Sequence, residues 1–290
     1  MKILIASAVL LLLTGFIFRK DISVYLSGVN ATEQTSKQQD KKGKNNTDVS
    51  IKQRWDLPAV LVEVSGIAYI DAQRFACVQD EAGTIYIYNT ATATIEKEIP
   101  FTGAGDFEGI TLKGDKAYVV RSDGVIFEVD MRTGKAAEYK TFLTAANNIE
   151  SLVYQASGNR LLTAAKEPDT DDPGYKNIYA FDLATKTLLK EPVMRINIDD
   201  SEFHQSGKSG KKKKYFMPSA IAVHPVQNDI YILDGPRSRM LVAGPDGQVK
   251  KLYELGNQFY KPEGISFSPA GDLFISNEGK KIPGNILQVE

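Results

Sequence analysis

Three glutamates recur at one place in a repeated pattern, and they are the residues whose spacing most suggests chemistry. Glu108, Glu150 and Glu263 each precede a small residue and an alternating apolar run. Carboxylates that share one narrow opening repel each other unless a cation or basic side chains compensate. Ca²⁺ is a hard cation that takes oxygen ligands from carboxylates, amides and backbone. The pattern predicts a metal site, with Ca²⁺ as its cofactor, at these glutamates. The competing interpretation is that they cap strand ends.

Further polar side chains occupy equivalent places in the repeats. The first strand of each repeat is expected to line a central channel. Because the second strand runs antiparallel to it, the start of the first strand and the end of the second lie on the same face of the propeller. Second strands end at polar residues, for example at Asp80-Glu81. Arg121 and Lys166 are the basic residues expected to offset the glutamates. The predicted ligand-binding residues are Ser65, Glu81, Arg121, Lys166, Glu167, Ser219, Asp234, Asn277 and Glu278.

The residues needed for several other chemistries are scarce. The only histidines are His204 and His224, which excludes a multi-histidine zinc site and argues against a Ser-His-Asp triad. The single cysteine, Cys77, excludes an internal disulfide and is expected to be a buried thiol. Basic and acidic residues number 35 and 36, so no nucleic-acid partner is expected. We therefore assign no catalytic residue.

The elements that must position the glutamates belong to an internal repeat. Five segments share a small or acidic residue, then Gly, Ser or Ala, then an apolar strand. Their second positions, 66, 109, 151, 220 and 264, give intervals of 43, 42, 69 and 44 residues. Short antiparallel strands at a period of about 40 residues predict an all-β fold, a single five-bladed β-propeller with four strands per blade. The long interval predicts an insertion rather than a sixth blade.

The ring predicted from these repeats needs one strand from the N-terminus. The last repeat ends at Glu290 after its third strand. The segment Arg54-Trp55-Asp56-Leu57 is predicted to supply the missing fourth strand and close the ring. We expect that deletion of residues 51–60 unfolds the whole domain.

The N-terminal segment differs from the rest of the chain. Residues 1–20 are apolar or small from Ile3 to Phe18, which predicts a hydrophobic helix outside the propeller that acts as a signal peptide or signal anchor. Residues 21–50 form a predicted flexible polar linker, and the propeller occupies 51–290. We expect an exported envelope protein, periplasmic or extracellular, that touches the membrane through its N-terminal segment only.

Two insertions are predicted to lie on the face that carries the glutamates. Residues 167–174 extend a turn of the third repeat, and residues 199–217 lead into the fourth. Loops on a rigid scaffold often carry function, so a lid or a docking site for a partner is one interpretation. The lysines 211–214 are better interpreted as a solvated loop than as an anion site.

Several segments together resemble the SdiA-regulated (YjiK/CarP-like) family of bacterial β-propellers, over about residues 52–290. They are Ser65–Tyr69, Asp106–Ile110, Ala165–Glu167, Pro218–Pro225 and Lys261–Phe267. The resemblance implies an envelope protein with an N-terminal signal or anchor, and a link to calcium handling in at least one branch. It implies no catalytic mechanism. The lysine-rich insertion departs from the family pattern, which leaves a shared ligand preference open.

Two function classes follow from these observations. The first is a non-enzymatic module that binds Ca²⁺, a small ligand or a protein partner through the channel mouth. The alternative is a metal-dependent hydrolase of lactones or phosphoesters, in which the glutamates hold the ion and Lys166 or Arg121 stabilises the oxyanion. The alternative rests on fold analogy, and the sequence supplies no obvious general base. We favour binding over catalysis.

Overall fold

The computed structural model describes residues 48–169, 173–205 and 216–290, which fold into five antiparallel sheets. The N-terminal strand is β1 (Ile51–Asp56). Blade 1 contains β2 (Val64–Asp71), β3 (Arg74–Gln79), β4 (Ala82–Asn89) and β5 (Thr94–Ala104). Blade 2 contains β6 (Phe107–Lys113), β7 (Lys116–Arg121), β8 (Ile126–Asp130) and β9 (Ala136–Tyr139).

The remaining blades follow in chain order. Blade 3 contains β10 (Val153–Gln155), β11 (Arg160–Ala164), β12 (Tyr175–Asp182), β13 (Thr187–Leu188) and β14 (Met194–Asn197). Blade 4 contains β15 (Pro218–Val223), β16 (Ile230–Asp234), β17 (Arg239–Ala243) and β18 (Val249–Glu254). Blade 5 contains β19 (Pro262–Phe267), β20 (Leu273–Asn277) and β21 (Asn285–Val289), followed by β1. Short helices occur at Ala59–Leu61, Ala156–Gly158, Glu202–Gln205 and Gly235–Arg237.

The first strands of the blades form a closed ring. Strand β2 contacts β6, β6 contacts β10, β10 contacts β15, β15 contacts β19, and β19 returns to β2. Strand β1 completes blade 5 by antiparallel pairing with β21, where Trp55 lies opposite Ile286 and Asp56 opposite Asn285. The predicted five-bladed propeller and its closure by the N-terminal strand are therefore confirmed.

The long sequence interval between the third and fourth repeats is accounted for by extra chain in blade 3. Strands β13 and β14 both pair with β12, at different parts of the same strand. Phe181 faces Leu188 in the first pairing, and Ile178 faces Met194 in the second. The predicted insertion is therefore confirmed, and it adds a fifth strand to this sheet.

A ring of five aliphatic side chains narrows the central channel. One side chain comes from each blade, at or just before its first strand: Ile67, Ile110, Leu152, Ile221 and Ile265. Each is at most 5% exposed, and each belongs to a different apolar cluster of the core. The cavity left at this level is about 10 Å³, close to the minimum for one water molecule. We call this set the plug ring, and it separates an upper from a lower channel cavity.

Glycines allow the first strands to approach closely around the channel. A Cβ atom on Gly109 would lie 3.0 Å from the Leu152 nitrogen, and one on Gly264 would lie 3.0 Å from the Ile67 nitrogen. The repeated Glu-Gly-Ile motif therefore has a physical explanation. The glutamate faces the channel mouth, the glycine admits the neighbouring blade, and the isoleucine joins the plug ring.

Several sequence predictions lie outside the described residues. They are the hydrophobic helix of residues 1–20, nearly all of the linker, and the lysines 211–214. The proposed domain boundaries therefore stay predictions. Within the described part of the chain, no helix has the length and apolarity required to cross a bilayer.

Candidate functional site

The upper end of the channel is a small cavity of about 50 Å³ surrounded by charged side chains. We call it the acidic mouth. It is lined by Glu63, Val64, Ser65, Asp80, Glu108, Glu150, Lys166, Lys261, Glu263 and Glu278. These residues include six carboxylates and two ammonium groups, so the mouth carries an excess of acidic groups.

Glu150 and Lys166 form the best-defined ion pair of the mouth. The Lys166 ammonium lies 2.5 Å from Oε1 of Glu150, and the Asn148 amide donates to the same oxygen at 3.0 Å. The other carboxylate oxygen, Oε2, is buried without a hydrogen-bond partner among the described residues. Burial raises the pKa of Glu150 although Lys166 opposes the shift. One oxygen of this carboxylate is therefore neutralised, and the other is free to bind a ligand.

Lys261 connects two other carboxylates at the rim. Its ammonium pairs with Glu278 and lies 3.7 Å from Oε1 of Glu263. The Lys261 side chain is 49% exposed, whereas that of Glu263 is only 8% exposed. An exposed ion pair is screened by solvent and contributes little stability. Lys261 can therefore move away from Glu263 at small cost.

Glu108 has the most perturbed acid–base behaviour in the mouth. In the described part of the chain, no ion pair involves this carboxyl group. Burial, followed by the neighbouring carboxylates of Glu150, Asp106 and Glu263, raises the pKa of Glu108 to about 9. The group is therefore protonated and neutral at pH 7.

Two further carboxyl groups of the mouth are perturbed in the same direction. Burial and Glu150 raise the pKa of Glu263 to about 7, although Lys166 and Lys261 oppose the shift. Burial and then Glu63 raise the pKa of Asp80, whose buried Oδ1 lacks a hydrogen-bond partner. Burial is the largest cause of each of these shifts, and the neighbouring carboxylates add to it.

Two buried serines hold the glutamate-bearing strands in place. The Ser65 hydroxyl donates to the Phe107 carbonyl at 2.6 Å, directly before Glu108. The Ser219 hydroxyl donates to the Pro262 carbonyl at 2.8 Å, directly before Glu263. Each serine therefore ties the start of one blade to the backbone that carries a glutamate of the next blade.

The structure brings together the three predicted metal ligands, Glu108, Glu150 and Glu263, with three of the predicted ligand-binding residues. These three are Ser65, Lys166 and Glu278. Ser219 does not line the mouth, and its hydroxyl contacts the backbone carbonyl directly before Glu263. Glu81 and Glu167 have exposed side chains that do not line the mouth.

The other predicted ligand-binding residues are engaged in local contacts. Arg121 pairs with Asp123 at 2.9 Å, two residues further along the chain. Asn277 donates its side-chain amide to Asn285 at 3.0 Å. The carboxylate of Asp234 is fully buried, and its partners are Arg237 at 3.1 Å and Arg239 at 2.6 Å. None of these three residues lines the mouth, and the Oδ1 atom of Asn277 is buried without a hydrogen-bond partner in the described part of the chain.

Three charged residues of the mouth were not among the predicted site residues. The sequence placed Asp80 and Glu81 together at the end of a second strand, and Glu81 was the predicted ligand-binding residue. In the structure Asp80 lines the cavity and Glu81 does not. Lys261 lies two residues before Glu263, and its positive φ of 52° turns the chain at that point. Glu63 lies two residues before Ser65, and Asp106 lies at the matching place before Glu108. The other three repeats have Asn148, Met217 and Lys261 there, so no signal common to all repeats marked Glu63.

The donor atoms of the mouth suit a hard cation, but they are not gathered around one point. All its acidic groups offer oxygen, the ligand type that Ca²⁺ prefers. Two buried oxygens, on Asp80 and Glu150, lack partners. Within residues 48–169, 173–205 and 216–290, however, no three acidic, histidine or cysteine side chains lie close enough to share a metal ion. A metal would therefore have to draw the carboxylates together.

The fold and the site together define a five-bladed β-propeller with an acidic channel mouth. A family model described as SdiA-regulated matches residues 39–281, and the chain belongs to that family. A comparison with curated proteins gave no match.

Solved structures with a similar fold come from proteins of different kinds. Glutaminyl cyclase from Myxococcus xanthus has a TM-score of 0.57 and 14% identity, over 83% of this chain and 95% of its own. A PQQ-bound aldose sugar dehydrogenase from Streptomyces coelicolor has a TM-score of 0.51 and 12% identity, over 86% of this chain and 99% of its own. At such identities the likeness concerns the fold alone.

Proposed function

We propose that this protein is a non-catalytic binding module that takes a small cation, such as Ca²⁺, into the acidic mouth. The observation that carries the proposal is the surplus of carboxylates around buried oxygens without partners, on Asp80 and Glu150. A cavity of about 50 Å³ has room for an ion and a water molecule but not for a typical metabolite. The chemistry of the mouth therefore favours an ion.

Binding of Ca²⁺ would change the charge state of the mouth. The ion would replace the proton of Glu108 and the partial protonation of Glu263, whose pKa values are raised by burial and then by the neighbouring carboxylates. Lys261 would leave Glu263, which its exposure allows. Because the carboxylates must first converge, we expect an affinity in the range of extracellular calcium modules, with Kd about 0.1–1 mM.

The proposed setting is the cell envelope. Residues 1–20 would direct export and remain as an anchor, and residues 21–50 would hold the propeller away from the membrane. Extracellular fluids contain free Ca²⁺ at concentrations that a weak site can sense. Fractionation of cells that express the full chain tests this setting: recovery in the cytosol would contradict it.

The proposed cation site is tested by isothermal titration calorimetry of the full chain in detergent. Ca²⁺ is compared with Mg²⁺, Mn²⁺ and methylammonium, so that the kind of cation is identified. The variants are Glu108→Gln, Glu150→Gln and Glu263→Gln, and Glu191→Gln is the matched control at an exposed position. We expect one saturable Ca²⁺ site that the three mouth variants weaken at least about tenfold and the control leaves unchanged. No binding of any cation, or equal binding by all variants, would overturn the proposal.

A metal-dependent hydrolase is the second candidate, and one observation favours it. Burial and Glu150 bring the pKa of Glu263 to about 7, which suits a group that accepts and donates protons near neutral pH. Incubation of the Ca²⁺-loaded protein with a panel of lactones and phosphoesters separates the two candidates. The binding proposal predicts no turnover, whereas turnover that Glu263→Gln abolishes would establish the hydrolase.

A further inference from the structure

The lower end of the channel holds a second and larger cavity, of about 400 Å³. The plug ring forms its floor. Two residues beyond each plug position, one side chain per blade forms the rim: Tyr69, Leu112, Tyr154, Val223 and Phe267. Side chains two apart on a strand lie on the same face, so the repeat that builds the plug ring also builds this rim.

The lining of the lower cavity differs in charge from the acidic mouth. None of the described residues that line the lower cavity carries a charged side chain. A ligand charge buried there would lose its hydration without gaining a counter-ion from the lining, which is unfavourable. The cavity therefore favours an uncharged ligand.

Two hydroxyl groups provide polarity at the wall of this cavity. Thr111 accepts a hydrogen bond from the Tyr154 amide at 3.0 Å, and Ser266 accepts one from the Tyr69 amide at 2.9 Å. Each accepted bond caps a backbone amide of the neighbouring blade and leaves the hydroxyl proton free. In the described part of the chain, neither hydroxyl donates to an acceptor. The two protons are therefore available to a ligand oxygen.

We propose that the lower cavity binds an uncharged, largely apolar small molecule that carries a hydrogen-bond acceptor, such as a carbonyl oxygen. Its volume falls within the range of small-molecule sites, about 300–1,000 Å³, and such sites combine apolar walls with a few polar groups. The rim supplies flat aromatic surface from Tyr69, Tyr154 and Phe267. Because the plug ring separates the cavities, this site is independent of the cation proposed for the acidic mouth.

The test uses prodan, a neutral naphthalene ketone whose emission shifts to the blue in an apolar site. Prodan is titrated into full-length protein at a fixed concentration of detergent. The prodan is excited directly, and its emission is recorded. Val223→Trp and Leu112→Trp fill the lower cavity from two different blades. Val226→Trp is the matched control, because Val226 is 70% exposed and does not line the cavity. Melting temperatures identify any variant that fails to fold.

We expect saturable binding of about one prodan per chain, weakened at least about tenfold by each cavity-filling variant and unchanged in the control. The anionic probe anilinonaphthalene sulfonate should bind at least about tenfold more weakly. Two results would overturn the proposal: no saturable binding to the wild type, or equal binding to Val226→Trp and to a correctly folded cavity-filling variant. Tighter binding of the anionic probe would refute the preference for an uncharged ligand.

Discussion

Replacement of Glu108 by glutamine should stabilise the protein at neutral and alkaline pH but not at acidic pH. The folded chain raises the pKa of this carboxyl from 4.5 to about 9, through burial and then the adjacent carboxylates. Between these values the unfolded chain has lost the proton and the folded chain keeps it. The stability from Glu108 is therefore fully present below about pH 4.5 and is lost progressively as the pH rises to about 9.

The size of the effect follows from the shift of the pKa. Each pH unit between the two values costs about 1.4 kcal/mol, so the limit at pH 8 is roughly 5 kcal/mol. Glu108 is partly exposed, and solvent screening reduces this limit. We therefore expect Glu108 to lower the free energy of unfolding by about 2 kcal/mol at pH 8. Glutamine has nearly the same shape and no charge to lose, so Glu108→Gln should be more stable than the wild type by about this amount at pH 8 and about equal at pH 5.

Thermal unfolding in the absence of divalent cations measures the effect. For a domain of this size, about 2 kcal/mol corresponds to a rise in Tm of roughly 4–8 °C. The control Glu191→Gln, at an exposed position, should follow the wild type at both pH values. A Glu108→Gln variant that is no more stable than the wild type at pH 8, or equally stabilised at pH 5 and pH 8, would refute the reasoning.

Three further predictions concern the scaffold. Deletion of residues 51–56 removes the strand that pairs with β21, so cooperative unfolding should be lost; a truncated chain with unchanged melting would contradict this. Ser219→Ala leaves the Pro262 carbonyl without its buried donor and should cost about 1–2 kcal/mol in urea unfolding, whereas no change would show that the bond is unimportant. Lys176→Met removes a buried ammonium 3.3 Å from Asp169 and should cost about 3 kcal/mol; wild-type stability would mean that Asp169 is satisfied without it.

The number of blades could be predicted from sequence because the propeller repeats one unit at a nearly constant interval. The strands follow from the alternation of apolar residues within each repeat. The closing role of the segment at Trp55 follows because the last repeat contains only three strands and a blade needs four. The interval before the fourth repeat indicated an insertion, but the pairing of β14 with β12 could not be foreseen. Strand partners in an insertion depend on where the chain folds back.

The charged side chains of the site were predictable only in part. Glu108, Glu150 and Glu263 occupy equivalent repeat positions, and symmetry brings them together. Arg121 occupies a similar place, but Asp123 is so near in sequence that it captures the guanidinium. Local ion pairs of this kind compete with longer-range ones, and the outcome depends on side-chain geometry that sequence spacing does not specify.

The most direct test of a cation in the acidic mouth is a crystal structure grown with Ca²⁺ and measured for anomalous scattering. The proposal predicts one anomalous peak in the mouth, within coordination distance of carboxylate oxygens from at least two of Glu108, Glu150 and Glu263, with Lys261 turned away from Glu263. A mouth without an anomalous peak, with Lys261 still beside Glu263 at saturating Ca²⁺, would contradict it.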